Sequence, residues 1–390
     1  MNAALARLIA GQVCLHACMA GTRMAAPLLA LKQGYSPAAV GVLLALFALT
    51  QVFLALPAGR YADRHGLKRP VAYSVIACVA GAGLAAAFPV FPVLCVAALM
   101  TGGATGAAVI ALQRHVGRAA EGTSQLKKVF SLLGIGPAVS NFIGPCAAGL
   151  LIDYAGSAAG DVTGYRAAFL FMALLPLLTW YSVRRTAELP PVAHPAGTPR
   201  GKAWDLLQDA MFRRLMLVNW LVSSCWDVHT FVVPVLGHER GLSASVIGTI
   251  LGAFAVAAAA IRVVMPLVTD RLRESVVLGV AMLASAAIFA VYPFMNVAVA
   301  MGACSVLLGF ALGSVQPMVM SMLHQITPEH RHGEALGLRL MFINASSVAM
   351  PMLFGAAGAL IGVGGVFWVV GAAVGAGSRS AWGLKACRTP

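Results

Sequence analysis

The run PLLALKQGYSPAAVGVLLALFA, residues 27–48, returns without a gap as PVLGHERGLSASVIGTILGAFA, residues 234–255. Pro27/Pro234, Gly34/Gly241, Ser36/Ser243, Gly41/Gly248 and Phe47/Phe254 all stand 207 positions apart (234 − 27). The same offset carries Asp63-Arg64 onto Asp270-Arg271, and Gly102 and Gly106 onto Gly309 and Gly313. After a slip of one residue, Ser140, Pro145 and Gly149 fall on Ser346, Pro351 and Gly355. Two similar, strongly apolar halves predict two like helical bundles in a membrane, with a solute site between them.

The composition agrees with lipid as the solvent. Of 390 residues, 60% are hydrophobic and only 10% charged, against about 25% charged in a soluble domain. At about 20 apolar residues per span, twelve spans are expected, near 6–31, 37–58, 70–88, 91–112, 129–152, 165–183, 214–236, 243–267, 276–293, 296–323, 335–360 and 364–378. This predicts an all-α integral membrane fold: a first six-helix bundle over 1–185, a cytoplasmic linker with an amphipathic helix over 186–212, and a second bundle over 213–390. The linker call rests on the Pro- and Gly-rich run TAELPPVAHPAGTPRGKA and on Trp204, Leu207, Met211 and Leu215 at near-helical spacing.

The net charge of +14 raises the question of nucleic acid, and its distribution answers it. With the N-terminus inside, the inner loops collect Arg60, Arg64, Lys68, Arg69, Arg114, Arg118, Lys127, Lys128, Arg184, Arg185, Arg213 and Arg214, among others. The outer loops receive only Lys32, Arg166 and Arg240. This is the positive-inside bias, and it predicts both termini in the cytoplasm. The basicity is topological, and no nucleic-acid partner is expected.

No cofactor or metal is expected. The loops carry no phosphate-binding GxxxxGK[ST] and no dinucleotide-binding GxGxxG in a strand–turn–helix setting. The eight cysteines are scattered without a CxxC pair and read as packing residues. In Cys14-x-His16-x-Cys18 residues two apart do not share a helical face. His324, His330 and His332 read as a solvated loop rather than a ligand set. No cluster of nucleophile, base or metal ligands at a membrane face marks an enzyme, although a non-transporting membrane sensor or enzyme remains the alternative of another class.

Between spans two and three stands Gly59-Arg60-Tyr61-Ala62-Asp63-Arg64-His65-Gly66-Leu67-Lys68-Arg69. It resembles the signature loop GxxxDRxGR[RK] of the major facilitator superfamily, with Asp270-Arg271 as a worn second copy. Asp63 is suited to accept charge-assisted bonds from arginine and to sit at a helix N-terminus. In the family this loop latches the two bundles in one conformation, which assigns Gly59, Asp63, Arg64, Gly66, Lys68, Arg69, Asp270 and Arg271 to a conformational latch. Ser140, Gly144, Pro145 and Gly149 in span five are similar to the GxxxGPxxGG pattern of antiporters and drug exporters, with Ser140 and Ala148 replacing glycines. The arginine common in span four of such exporters is missing from 98–106, which sets standard proton coupling in question.

The resemblance implies two pseudo-symmetric six-helix bundles in the cytoplasmic (inner) membrane of a bacterium, acting as a monomer on a small-molecule substrate. The best specific reading is export of a small organic solute, extending to antiport against protons; uniport or import of a small organic anion is the alternative. Candidate substrate- or ion-binding residues come from polar stripes. Gln12, His16 and Arg23 share one face of span one, and the offset maps that face onto Asn219, Ser223 and Thr230 in span seven, next to Asp227. Asp227 is the acidic residue lying well inside a span, a placement that costs about 2.5–3.5 kcal/mol at a helix centre unless water, a partner or a substrate meets it. It reads either as a coupling acid or as half of a structural ion pair with Arg23. Asn141 and Gln316 are further cavity donors. Arg262 and Arg339 are expected to snorkel to the inner interface.

Overall fold

The computed structural model describes residues 3–35, 37–155, 162–190, 202–242, 244–268 and 272–384. Asp270 and Arg271, the expected second copy of the latch loop, and residues 191–201 of the linker lie outside the described residues.

The described chain is helical from end to end. In order it forms α1 (Ala3–Lys32), α2 (Pro37–His65), α3 (Lys68–Ala87), α4 (Phe91–Arg118), α5 (Gly122–Leu133), α6 (Ile135–Tyr154), α7 (Thr163–Arg184), α8 (Ala210–Glu239), α9 (Ala244–Val268), α10 (Glu274–Val291), α11 (Ala298–Ile326) and α12 (His332–Trp382). Apolar side chains drive these helices into lipid, where each backbone N–H and C=O must be bonded within its own segment. Turns fall where glycine adopts a left-handed conformation, as at Gly66 (φ 73°) between α2 and α3. Helix α12 is two arms that meet at Gly362 (φ 75°, ψ 164°), between the two last expected spans.

Ten stretches among the described residues are long and apolar enough to cross a membrane, against the twelve expected. Helix α8 is not one of them: Ser223, Ser224, Asp227 and His229 interrupt its apolar run. Expected span five is divided into α5 and α6 at Gly134. Pro137 explains the break, since its ring has no N–H for the carbonyl of Leu133 and clashes with it. The expected amphipathic helix near Trp204 is a 3₁₀ turn over Ala203–Gln208. With three residues per turn, Ala203 and Leu206 are the side chains it buries, and Trp204 stays exposed.

The helices pack as two compact units whose membership is not simply the first and second repeat. One comprises residues 1–119, 136–198 and 329–344; the other comprises 120–135, 199–328 and 345–390. Each unit therefore holds a half-helix from the opposite half of the sequence. In the first unit, Gly333 and Gly337 of α12 lie against α2, so close that a Cβ on Gly337 would stand 2.5 Å from the Ala55 carbonyl oxygen. Gly59 and Gly333 are in direct backbone contact. This is a small-xxx-small crossing on both partners, the device that lets membrane helices touch backbone to backbone. In the second unit, Ser131 of α5 donates to the Arg262 carbonyl of α9 at 2.5 Å. The two crossings are equivalent positions of the repeat, since 262 − 55 is 207 and 337 − 131 is 206.

The repeat also recurs in the packing of each unit. Gly102 on α4 presses on the backbone of buried Phe47, and Gly309 on α11 presses on that of buried Phe254, where a Cβ would meet the Phe254 oxygen at 2.5 Å. Gly313 likewise abuts Ala258, as Gly106 abuts Gln51. Gly102→Ala and Gly309→Ala are each expected to destabilise by the overpacking cost of about 1–3 kcal/mol, read as a lower unfolding midpoint of the purified protein. Gly252→Ala, where a Cβ meets nothing within 4 Å, should lower it in neither case.

Candidate functional site

The best-defined polar site grows from the end of α2. Asp63 is the hub: its Oδ1 accepts from Arg114 Nε of α4 at 2.6 Å and from the backbone N–H of Gly333 at 2.9 Å. Its Oδ2 accepts from the N–H of Glu334 at 3.0 Å. Arg114 also donates to the Asp63 carbonyl at 3.3 Å. Gly333 and Glu334 open α12, and the first N–H groups of a helix lack intrahelical acceptors. Asp63 thus caps α12 from another helix, in the favourable sign for the helix dipole. Glycine at 333 is what allows the approach, because a Cβ there would stand 2.9 Å from the Asp63 carboxyl group.

A ring of charge surrounds this hub. Glu334 binds Arg60 at 2.7 Å through one oxygen and Arg331 at 2.7 Å through the other. Arg118 binds Glu329 at 2.7 Å and the Pro190 carbonyl at 3.0 Å. The Arg114–Asp63 pair is 3% and 9% exposed, whereas Arg60 is 44% exposed. Screening reduces the Arg60 contact to a fraction of a kcal/mol, so the buried pair and the cap carry the energetics. Glu188 Oε1 performs a second capping role, accepting from Leu67 N at 2.5 Å and Lys68 N at 3.3 Å at the start of α3. Of the residues placed in this loop from sequence, Gly59 and Asp63 meet α12, Gly66 makes the turn, and the side chains of Arg64, Lys68 and Arg69 make no bond among the described residues.

The second unit has a charged site of its own at its exchanged half-helix, where the donor is a side chain rather than the backbone. Lys127 of α5 stands 3.4 Å from Glu274, the first residue of α10, and donates to the Leu272 carbonyl at 2.6 Å. Ser321 and Gln325 complete the carboxylate at 3.2 and 3.0 Å. They stand 207 after Arg114 and Arg118 (321 − 114), so this half replaces arginines with neutral donors. Arg262 does not snorkel: it is buried and donates to Gly134 O at 2.7 Å and Gly313 O at 3.4 Å. The carbonyls left open where α5 ends need donors, and a guanidinium supplies them. Arg339 is buried as well. His324 and His332 are buried rather than solvated; His324 bonds the Met320 carbonyl and packs on Phe130 with ring centroids 4.8 Å apart.

The polar stripes divide between the units. Gln12 and His16 line a small void of about 10 Å³ with Thr105 and Thr179, room for about one water. Gln12 Oε1 and His16 Nδ1 meet no hydrogen-bond partner among the described residues. Arg23, further along α1, is exposed. Ser140 of α6 turns inward, donating to Gly136 O at 2.7 Å and Val13 O at 3.1 Å, while Asn141 is exposed. Gly144 presses on α1, with a Cβ position 2.5 Å from the Ala17 oxygen; Gly149 makes only ordinary contact, with Met24. Pro145 lies within α6 without breaking it.

In the second unit, Asp227 of α8 accepts from Ser347 at 3.3 Å and Ser346 at 3.5 Å, both from α12. These are long bonds, and no ion pair to Asp227 forms within its unit among the described residues. Thr230 donates back to the Trp226 and Asp227 carbonyls at 3.0 and 3.2 Å. Asn219 is buried, whereas Ser223 and Gln316 are half-buried. Sequence reasoning missed Gly333, Glu334, Glu329, Lys127 and Glu274. The one signal for them was the repeat offset, which pairs Lys127 with Gly333 once the slip of one residue is included (333 − 127 = 206).

Against known proteins, the chain matches the Major Facilitator Superfamily over residues 8–224 and 215–382. No curated protein sequence matches it significantly. Among solved structures, it is similar to a bacterial homologue of the iron transporter ferroportin in an outward-facing state, with TM-score 0.78 and 16% identity over 98% of this chain and 100% of that one. It is similar to the human organic anion transporter MFSD10 (TETRAN), with TM-score 0.77 and 16% identity over 97% and 99%. The proton:xylose symporter XylE aligns with TM-score 0.70 and 14% identity over 99% and 97%. At these identities the likeness is one of fold.

Removing one member of the buried pair leaves the other charged and unmatched. Asp63→Ala is expected to destabilise by about 3–5 kcal/mol, read by thermal unfolding. Adding Arg114→Leu should then cost far less than it does alone, giving non-additivity in the double-mutant cycle.

Proposed function

The chain belongs to the Major Facilitator Superfamily, and on that premise we propose that it is a secondary active transporter moving a small organic solute by alternating access. The family and the similar structures are transporters, and the apolar helices make this a multi-pass membrane protein. The observation that carries the reading is the Asp63 cap on α12. It is a set of polar bonds across a close glycine crossing, and water can replace those bonds when the crossing opens. A permanent structural junction would gain more from apolar packing than from a buried ion pair. We place the site in the cytoplasmic membrane, with the basic loops and both termini inside, on the positive-inside bias.

The finer reading is export of the solute, with proton antiport as its extension. The Ser140–Gly149 pattern supports it through the close approach of Gly144 to α1, the helix that carries Gln12, His16 and Arg23. Asp227 is the proposed coupling acid. Two long hydroxyl bonds satisfy a carboxylate poorly, so a proton, or a cationic group on the solute, is the partner it lacks. Arg23 is proposed to bind an anionic group of the solute.

A second reading, uniport or import of an organic anion, draws on the exposed Arg23 and on the missing arginine in 98–106. In reconstituted vesicles under an imposed pH gradient, a panel of labelled anionic and cationic compounds separates the two. Export with antiport predicts outward movement driven by an inward proton gradient, and Asp227→Asn should abolish that coupling while the protein stays folded. Gradient-independent uptake of carboxylates, unchanged in Asp227→Asn and lost in Arg23→Gln, would favour the second reading.

A further inference from the structure

A groove of about 580 Å³ runs along the outside of the first unit between α2, α3 and α4. Small residues open it. Ala104 and Ala107 of α4 and Ala77 of α3 leave a trough where larger side chains would fill the angle between helices, while Gly103 lets α4 close on α2, a Cβ there standing 2.7 Å from the Thr50 methyl. The volume lies in the range of specific small-molecule pockets, about 300–1,000 Å³.

Its length and its ends identify the occupant. Along α2 the groove extends from Thr50 to Tyr61, eleven residues or about 16 Å at 1.5 Å per residue. That is half of the roughly 30 Å hydrocarbon core, the depth of a single leaflet. The open end is framed by Tyr61 and Tyr73, whose ring centroids are 5.9 Å apart, with His65 stacked on Tyr61 at 4.1 Å. Tyrosines of this kind sit at the level of lipid headgroups. In sequence, Arg64 follows Tyr61 by three residues, and Lys68 and Arg69 directly precede Pro70 of the groove lining. Arg60 and Arg114 of the same region are engaged by carboxylates, but these three side chains make no ion pair or hydrogen bond among the described residues. An apolar trough one leaflet deep, ending at an aromatic rim and three unmatched cations, fits one molecule: a phospholipid with a net negative headgroup.

We propose that this groove is a specific site for one anionic glycerophospholipid, with an acyl chain lying along Ala77 and Ala107 and the phosphate met by Arg64, Lys68 and Arg69. Basic pockets between membrane helices on the cytoplasmic side bind anionic headgroups on these terms. The proposal is independent of solute, direction and coupling ion.

The test uses the full chain, reconstituted in bilayers of equal phosphatidylglycerol and phosphatidylcholine. After mild detergent extraction, the lipid retained per protein is counted by mass spectrometry. Phosphatidylglycerol should be retained in excess over its share of the bilayer. Arg64→Gln, Lys68→Gln and Arg69→Gln should each reduce that excess about fivefold, the equivalent of about 1 kcal/mol per basic residue. Ala107→Phe should displace the lipid by filling the trough, with Ala77→Phe on a different helix as the second filling variant should the first fail to fold. Retention in the bilayer's own ratio would overturn the proposal, as would an excess untouched by both the neutralised and the filled variants. Complete displacement by soluble glycerol phosphate would overturn the groove's part in it, since a free headgroup would then bind as well as the lipid.

Discussion

A carboxylate that ends one helix and begins another is the constraint on which the rest of the first unit depends. Asp63 satisfies two N–H groups of α12 and the guanidinium of Arg114 at once. Remove it, and a buried cation and an uncapped helix start are left without their acceptor. The glycines follow from that requirement. Gly59, Gly333 and Gly337 let the α12 backbone come close enough for a short aspartate side chain to reach. Sequence, helix crossing and electrostatics are thus one device rather than three.

The second unit solves the equivalent problem with different chemistry. There the incoming half-helix α5 supplies the cation, Lys127, and Glu274 receives it with help from Ser321 and Gln325. The crossing is also less tight, since Ser131 bonds the Arg262 carbonyl where the other unit has bare glycine against Ala55. In both units a resident carboxylate accepts from the incoming half-helix, from backbone N–H groups in the first and from an ammonium in the second.

The duplication itself was legible in the residues, because Gly102/Gly309 and Phe47/Phe254 are steric positions that tolerate few alternatives. So was the chemistry of Asp63, whose type and position suited an arginine and a helix start. Its partners were not. An offset of 207 relates residues that occupy equivalent places, whereas Asp63 and Gly333 are 270 apart and touch only because a half-helix packs with the opposite half of the sequence. The division of span five lies in Gly134 and Pro137, which a continuous apolar run over 129–152 conceals. Arg262 was misjudged for a related reason: the carbonyls it serves exist only because α5 stops at Gly134. Asp227 was visible as an acid in a span, but its serine partners are 119 and 120 positions away.

The direct test is whether the α2–α12 contact must open during transport. With the native cysteines replaced, Arg60→Cys and Glu334→Cys can be joined by a short bis-maleimide, and solute flux followed in reconstituted vesicles before and after joining. A latch that opens in every cycle predicts that the joined protein stops transporting while either single cysteine variant, treated alike, continues. Flux at an undiminished rate through fully joined protein would contradict it.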